Sequence, residues 1–357
     1  MYREDVFFNI HNLVKFRVHC PKYSASNLML GNPLSKYKYY KEEDKNQEAD
    51  FEVDVRKISV PKNKWHCHSS GKNYYGENYL FCKGYNFKLV NWDIEIENLN
   101  KIDDGPVKIT VFGDPLSLRW ISNLIDFFIH KQLVDRDAAL VHAAGVLSAN
   151  GAIMYSGRSG CGKTTLISNA LESGLPLLGD NYIILKDGLM KNFIGSMSIY
   201  WHNLSETLSE KISTTDYMRL QLGSIVTKAT ARKVKLSTQI NLGDLYPDKI
   251  TNDKPFTKGF VVFSGIQTRE VGVTEIQDKA FATQILQNQQ CEFLVLSRLF
   301  YDYSYYYQQN GYTNQWQTYY DILMKNISSA EKYRLDLPYI LDKKAIHDMF
   351  DLFTRGD

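Results

Sequence analysis

The chain has 357 residues, 44% of them hydrophobic, and a formal net charge of +2. That length suits two domains, or one domain with a sizeable appendage, and so small a charge gives no argument for a nucleic-acid partner. Five scattered cysteines fit a reducing cytoplasm better than a disulfide framework, and no apolar run approaches the roughly 20 residues that span a bilayer.

From the amino end, Met1-Tyr2-Arg3-Glu4-Asp5 opens a mixed segment, not a basic and apolar leader. Residues 1–114 then carry short apolar or alternating runs separated by polar turns: Phe51–Val55, Tyr79–Cys82, Phe87–Val90, Trp92–Ile96 and Val107–Val111. Such alternation predicts antiparallel strands and so a β-rich amino-terminal region, with Asn73, Gly76 and Gly84 suited to turns. Ser35–Asp50, rich in Lys, Tyr and Glu, reads as a loop. His66-Cys67-His68 with Cys82 has metal-ligand residue types, but alternate strand residues face opposite ways and the spacing fits no common zinc module. Over 115–137 a connecting helix is expected, opened by Asp114-Pro115, with Leu118, Ile121, Leu124, Ile125 and Phe128 at helical spacing.

The region 138–357 holds the most specific signal. Gly157-Arg158-Ser159-Gly160-Cys161-Gly162-Lys163-Thr164 is a complete G-x-x-x-x-G-K-[ST] loop. A strand-like run, Ala152–Tyr155, precedes it, and a helix-like run, Thr165–Leu171, follows and stops at Gly174. The motif needs that context, because loop amides and the helix N-terminus face phosphate oxygens. Lys163 would reach the β- and γ-phosphates of ATP, and Thr164 would offer its hydroxyl to Mg²⁺. Arg158 and Ser159 fill the variable part, where backbone amides matter more than side chains. Cys161 reads as an accessible thiol whose alkylation would block nucleotide binding.

Asp180 lies 17 residues after Lys163, at the start of the apolar run Tyr182–Leu185. If the intervening helix is a crossover between parallel neighbours, this carboxylate returns beside the loop. There it would hold Mg²⁺ or take a proton from a hydroxyl; otherwise it only caps a turn. His142, before the strand-like Ala143–Leu147, is a second candidate, and a lone His there also suits a structural role. The sequence places no convincing second metal acid.

Beyond Leu185, Phe193–Tyr200, Lys258–Ile266 and Lys332–Leu337 read as strands. Ser205–Lys235 reads as a helix and loops, with Lys228, Arg232, Lys233 and Lys235 forming either a phosphate clamp or a solvated basic face. Residues 301–320 contain eight tyrosines and Trp316, without the interleaved cations of a nucleic-acid surface. A half-buried helical surface is expected, with a peptide groove as the alternative. Lys343–Phe353 reads as a closing helix.

The order His142-Ala143-Ala144-Gly145-Val146, turn at Asn150-Gly151, strand, glycine loop, helix, Gly174 and Asp180 resembles the catalytic core of the HPr kinase/phosphorylase family. The likeness is strongest to its stand-alone kinase-like members, some of which serve lasso-peptide and other modified-peptide pathways. It covers about residues 138–190. It implies an α/β P-loop kinase core of the HPr kinase / PEP carboxykinase type, with Gly157–Thr165 binding nucleotide and Thr164 and Asp180 binding metal. It further implies that Asp180 serves as catalytic base, that His142 lies near the phosphates, and that the acceptor is a serine hydroxyl of a peptide or protein. Two positions depart from the family: Asn181 stands where a second acid is usual, and Thr165 where an acid is frequent. The carboxy-terminal Gly-rich signature that engages HPr is missing, which makes HPr itself a weaker acceptor than a peptide precursor. The competing classes are a kinase of small alcohols or sugars, a nucleotide-binding regulator without transfer, and a motor or switch NTPase. The last is weakened by the lack of Asn-Lys-x-Asp and of an apolar strand ending in Asp-Glu. Homo-oligomerisation is left open.

Overall fold

The computed structural model describes residues 3–21, 34–44, 47–59, 65–69, 72–86, 90–100, 105–113, 121–201, 204, 206–230, 237–266, 270–308, 311–338, 344–345 and 348–349. The chain is a mixed α/β protein of two compact units, Met1–Arg136 with Phe293–Gln315, and Asp137–Glu292 with Trp316–Asp357. The segment 293–315 therefore groups with the amino-terminal part, although sequence alone assigned it to a region running from 138 to the end. Among the described residues no helix is long and apolar enough to cross a membrane.

In the first unit the strands are β1 (Arg3–Ile10), β2 (Val14–Pro21), β3 (Lys41–Glu42), β4 (Phe51–Val55), β5 (Cys67–Ser69), β6 (Asn73–Gly76), β7 (Tyr79–Asn86), β8 (Val90–Glu97) and β9 (Val107–Gly113). They form one sheet in the order β3-β1-β2-β4-β9-β8-β7-β6-β5. β4 runs parallel to both β2 and β9, and the remaining pairs are antiparallel. The alternation read from the sequence buries one face: Phe16 stacks on Phe51 at 5.0 Å, and Phe51 meets Phe128 of α1 (Ile121–Val134) at 5.6 Å. Phe300, from the returning segment, stacks on Phe127 at 4.8 Å.

Three sequence expectations fail in this unit. Phe51–Val55, expected as an antiparallel strand, pairs parallel on both sides because β4 sits between β2 and β9 running the same way. Gly84 lies inside β7, paired with Trp92, not at a turn. A Cβ there would fall 2.0 Å from the Trp92 ring, so the missing side chain is the space the indole fills. Asn73 and Gly76 are the two end residues of β6, beside turns, with Gly76 paired to Tyr79 across the turn Glu77-Asn78. Within the expected loop 35–50, Ser35–Tyr40 forms a short 3₁₀ helix whose Tyr37 is fully buried. The Tyr37 hydroxyl donates to Asp126 at 2.7 Å, an anchor that the local polarity conceals. The expected positions 114–120, including Asp114-Pro115 and Leu118, and the run Phe87–Leu89 lie outside the described residues, as does most of Lys343–Phe353.

The second unit contains β10 (Ala139–Val141), β11 (Ala143–Ser148), β12 (Gly151–Ser156), α2 (Lys163–Glu172), β13 (Leu177–Gly179), β14 (Ile183–Lys186), β15 (Leu189–Lys191) and β16 (Ser196–Ile199). It continues through α3 (Glu206–Lys211), α4 (Thr214–Ala229), β17 (Thr238–Asn241), α5 (Leu242–Leu245), β18 (Lys254–Ile266), β19 (Gly272–Glu275) and α6 (Asp278–Glu292). After α7 (Leu294–Tyr306), which belongs to the first unit, come α8 (Gln315–Ile327) and β20 (Glu331–Pro338). The main sheet runs β10-β14-β15-β18-β12-β11-β13, with β20 on β18 and β19 on β20. β12, β18 and β20 are mutually parallel neighbours at its centre. Their aromatic residues stack in a row, Tyr155 on Phe260 at 5.0 Å and Phe260 on Tyr333 at 5.3 Å. Leu166, Ile167, Ala170 and Leu171 of α2 are buried in the same core.

The strand after α2 does not pair with β12. β13 pairs antiparallel with β11, and β11 pairs antiparallel with β12. Two antiparallel steps make β13 and β12 run the same way, so their carboxyl ends lie on the same side of the sheet with one strand between them. This topology sets up the site.

Candidate functional site

The glycine loop occupies the carboxyl end of β12. Gly157 sits where a Cβ would meet the Val262 carbonyl oxygen at 2.6 Å and the Cys161 sulfur at 2.7 Å, so β18 and the loop leave no room for any side chain. Gly160 and Gly162 have φ of 84° and 97°, in the left-handed region that glycine enters without steric cost. Gly162 also caps α2. The first intrahelical bond, from the Leu166 amide to the Gly162 carbonyl, is 3.0 Å long. The preceding amides of Lys163, Thr164 and Thr165 have no acceptor within the helix, which makes this end an anion-favouring one.

Arg158, Ser159 and Gly160 are exposed along the crest of the loop, while Thr164 and Thr165 are half-buried in the first turn. Lys163 is buried, and its ammonium donates to the carbonyls of Gly157 and Arg158, the latter at 3.3 Å. Cys161 is buried rather than accessible, because its sulfur packs under Gly157, and burial pushes the thiol pKa up. The expectation of an alkylation-prone thiol is thus overturned by the tightness of the loop.

Asp180 directly follows β13, at its carboxyl end, and does not open β14. It is 1% exposed, and its Oδ2 has no hydrogen-bond partner among the described residues. Burial raises its pKa to about 6, while the Lys163 charge and the Asn181 amide pull it back. Asp180 and Lys163 therefore feel each other, as the strand directions require. The neighbouring Asn181 has a different duty. Its backbone is left-handed, φ 74°, a region Asn tolerates, and its side-chain amide donates to the Ser196 carbonyl at 2.7 Å. A carboxylate could not make that bond, so the amide at this position ties the turn to β16.

His142 lies between β10 and β11 and is 7% exposed. Its ring makes an edge contact with Tyr182 at 5.6 Å. Its backbone is held by α6: the His142 amide donates to Gln289 Oε1 at 2.8 Å, and Asn288 Nδ2 donates to the carbonyls of His142 and Gly157, each at 3.2 Å. The Ser156 hydroxyl also donates to the His142 carbonyl, at 3.1 Å. Glu292, on the last turn of α6, places Oε1 3.8 Å from His142 Nε2. Its pKa is raised by burial and drawn back by Lys163 and Arg158.

Asn288, Gln289 and Glu292 were not singled out from the sequence. A signal for them exists in the α6 stripe, where buried Phe281, Ala282 and Ile285 give way to buried Asn288 and Gln289. Polar residues continuing an apolar stripe mark a place where a helix meets backbone or charge. By contrast, His66, just before β5, and His68 on it are exposed, with Cys67 half-buried between them, in the first unit. Lys228 is exposed at the end of α4, and Arg232, Lys233 and Lys235 lie outside the described residues.

The site therefore joins a glycine loop, a helix N-terminus, a buried ammonium, a partner-poor buried carboxylate and an imidazole near a second carboxylate. Such a set can bind a polyanion and accept a proton. No protein-family model and no curated protein matches the chain.

Proposed function

We propose that the protein is an ATP-dependent phosphotransferase, with the second unit a P-loop kinase core of the HPr kinase-like type and the β-rich amino-terminal region an accessory to it. The observation that carries this reading is the Asp180 carboxylate, buried with its Oδ2 left unpartnered among the described residues and in the field of Lys163. A buried carboxylate costs several kcal/mol when it serves only structure, and a base poised near neutral pH is what abstraction of a hydroxyl proton needs.

The residues suit Mg-ATP. Gly160 is open, with nothing within 4 Å of the place its Cβ would occupy, and a helix N-terminus lies behind it. Gly157–Thr165 would hold the phosphates, and Thr164 and Asp180 would hold Mg²⁺, which when bound neutralises charge on the phosphates. Lys163 would exchange its loop carbonyls for phosphate oxygens. Asp180 would take the proton of the acceptor hydroxyl, and His142 would assist at the transferred group. The acceptor on this reading is a serine of a peptide or protein, with a ribosomal, lasso-type peptide precursor as the sharper choice, in the cytoplasm.

The test is transfer from γ-labelled ATP with Mg²⁺ to serine-containing peptides and to small alcohols, beside Lys163→Ala and Asp180→Asn controls. Label on a peptide serine that disappears in both variants supports the reading. Label on a small alcohol alone moves the acceptor to the sugar and alcohol class. ATP binding without transfer to either would instead make the protein a nucleotide-binding regulator.

A further inference from the structure

Glu292 reaches the site from the end of a helix more than a hundred residues downstream of Asp180 in sequence. The turn before it is fastened to His142 at both backbone groups, through Gln289 to the amide and through Asn288 to the carbonyl. Asn288 and Glu292 are four residues apart on α6, so they share one helix face. The same face that fixes the His142 backbone therefore also brings a carboxylate to its ring, 3.8 Å from Nε2. A helix that only packed here would offer apolar side chains at these positions. Catalytic hydrogen bonds are often long before substrate binds and shorten in the complex, and Glu292, with a quarter of its side chain exposed, has room to close that gap.

The geometry points to Glu292 as the positioning residue for His142, its carboxylate accepting from Nε2 and so fixing the orientation and tautomer of the imidazole. This rests on the reading above, in which His142 assists phosphoryl transfer. A carboxylate at Nε2 keeps the proton there and leaves the lone pair on Nδ1, as outer-shell acceptors do for working histidines elsewhere. The competing role is plain charge balance against Lys163 and Arg158, both of which act on Glu292. That role needs no communication with the imidazole.

Full-length wild type, Glu292→Gln, His142→Ala and the double variant separate the two. The expected result is that Glu292→Gln lowers kcat about 10- to 100-fold with the KM for ATP changed by less than about threefold. The double variant should be no slower than His142→Ala alone, because residues acting as one unit are non-additive. The ¹⁵N signals of the His142 ring should also move in Glu292→Gln at fixed pH. Losses that multiply in the double variant, or ring signals identical to wild type, overturn the assignment. If wild type transfers phosphate to no acceptor, the kinase reading fails by itself, and the ring signals alone then decide whether Glu292 sets the imidazole.

Discussion

The ammonium of Lys163 donates to the carbonyl of Gly157, at the other end of the glycine loop, so the loop closes on its own cation. A buried ammonium needs such acceptors, and a polyanion would offer better ones. Lys163→Ala should therefore lower affinity for ATP about 10- to 100-fold, the scale of one hydrogen bond to a charged group, with the fold kept. Calorimetric titration with Mg-ATP measures it; unchanged affinity would mean that Lys163 serves only to brace the loop.

Gly157→Ala should act differently. The added methyl meets the Val262 carbonyl oxygen, a backbone atom that cannot swing away, and the Cys161 sulfur. Overpacking of this kind costs roughly 1–3 kcal/mol, so thermal unfolding should come several degrees earlier. Weaker nucleotide binding should accompany it, because β18 and the loop must move apart. Gly160→Ala, with open space around it but a left-handed backbone, isolates backbone strain from the clash.

The thiols offer a test that needs no substrate. Cys161 is buried and Cys291 exposed, and burial holds the Cys161 thiol protonated. Thiolate is the reactive form. Brief iodoacetamide treatment followed by peptide mapping should find Cys291 modified well before Cys161. Rapid modification of Cys161 would show that the loop opens readily on its own.

The glycine loop was legible because its spacing is a local rule: glycine at φ-demanding positions, then lysine, then a hydroxyl at a helix start. Asp180 was legible as a residue but not as a position, since the sequence cannot say that β13 pairs with β11 and reaches the loop across an intervening strand. Gly84 was misread because glycine signals a turn and a close approach equally well; only the Trp92 ring decides between them. Asn181 looked like a lost acid, and the structure gives it a bond to Ser196 that an acid could not make. Asn288, Gln289 and Glu292 left only a faint trace, polar residues continuing the apolar stripe of α6. What they hold, the backbone of His142 and Gly157, lies more than a hundred residues away in sequence, and that pairing no local pattern encodes.

Asp180 links stability to chemistry, and the sign can be worked out. Its folded pKa of about 6 lies above the ordinary 3.8, so between those values the folded chain keeps a proton that the unfolded chain has released. Stability from this group is thus fully present below about pH 4 and is lost as pH rises through about 6, by as much as ~3 kcal/mol for a shift of about two units. Asp180→Asn has no such term. Urea unfolding of both proteins from about pH 4 to 7.5 should show the difference moving in the variant's favour by up to that amount. Transfer should behave in the opposite sense. In wild type it should rise with pH through about 6 as the base ionises, and in Asp180→Asn it should lose that rise and lie at least about 100-fold below the wild-type plateau. A variant that gains relative stability at neutral pH but keeps most of its turnover would show that the buried carboxylate is not the base. A flat difference in stability would show instead that Asp180 is solvated in the folded chain.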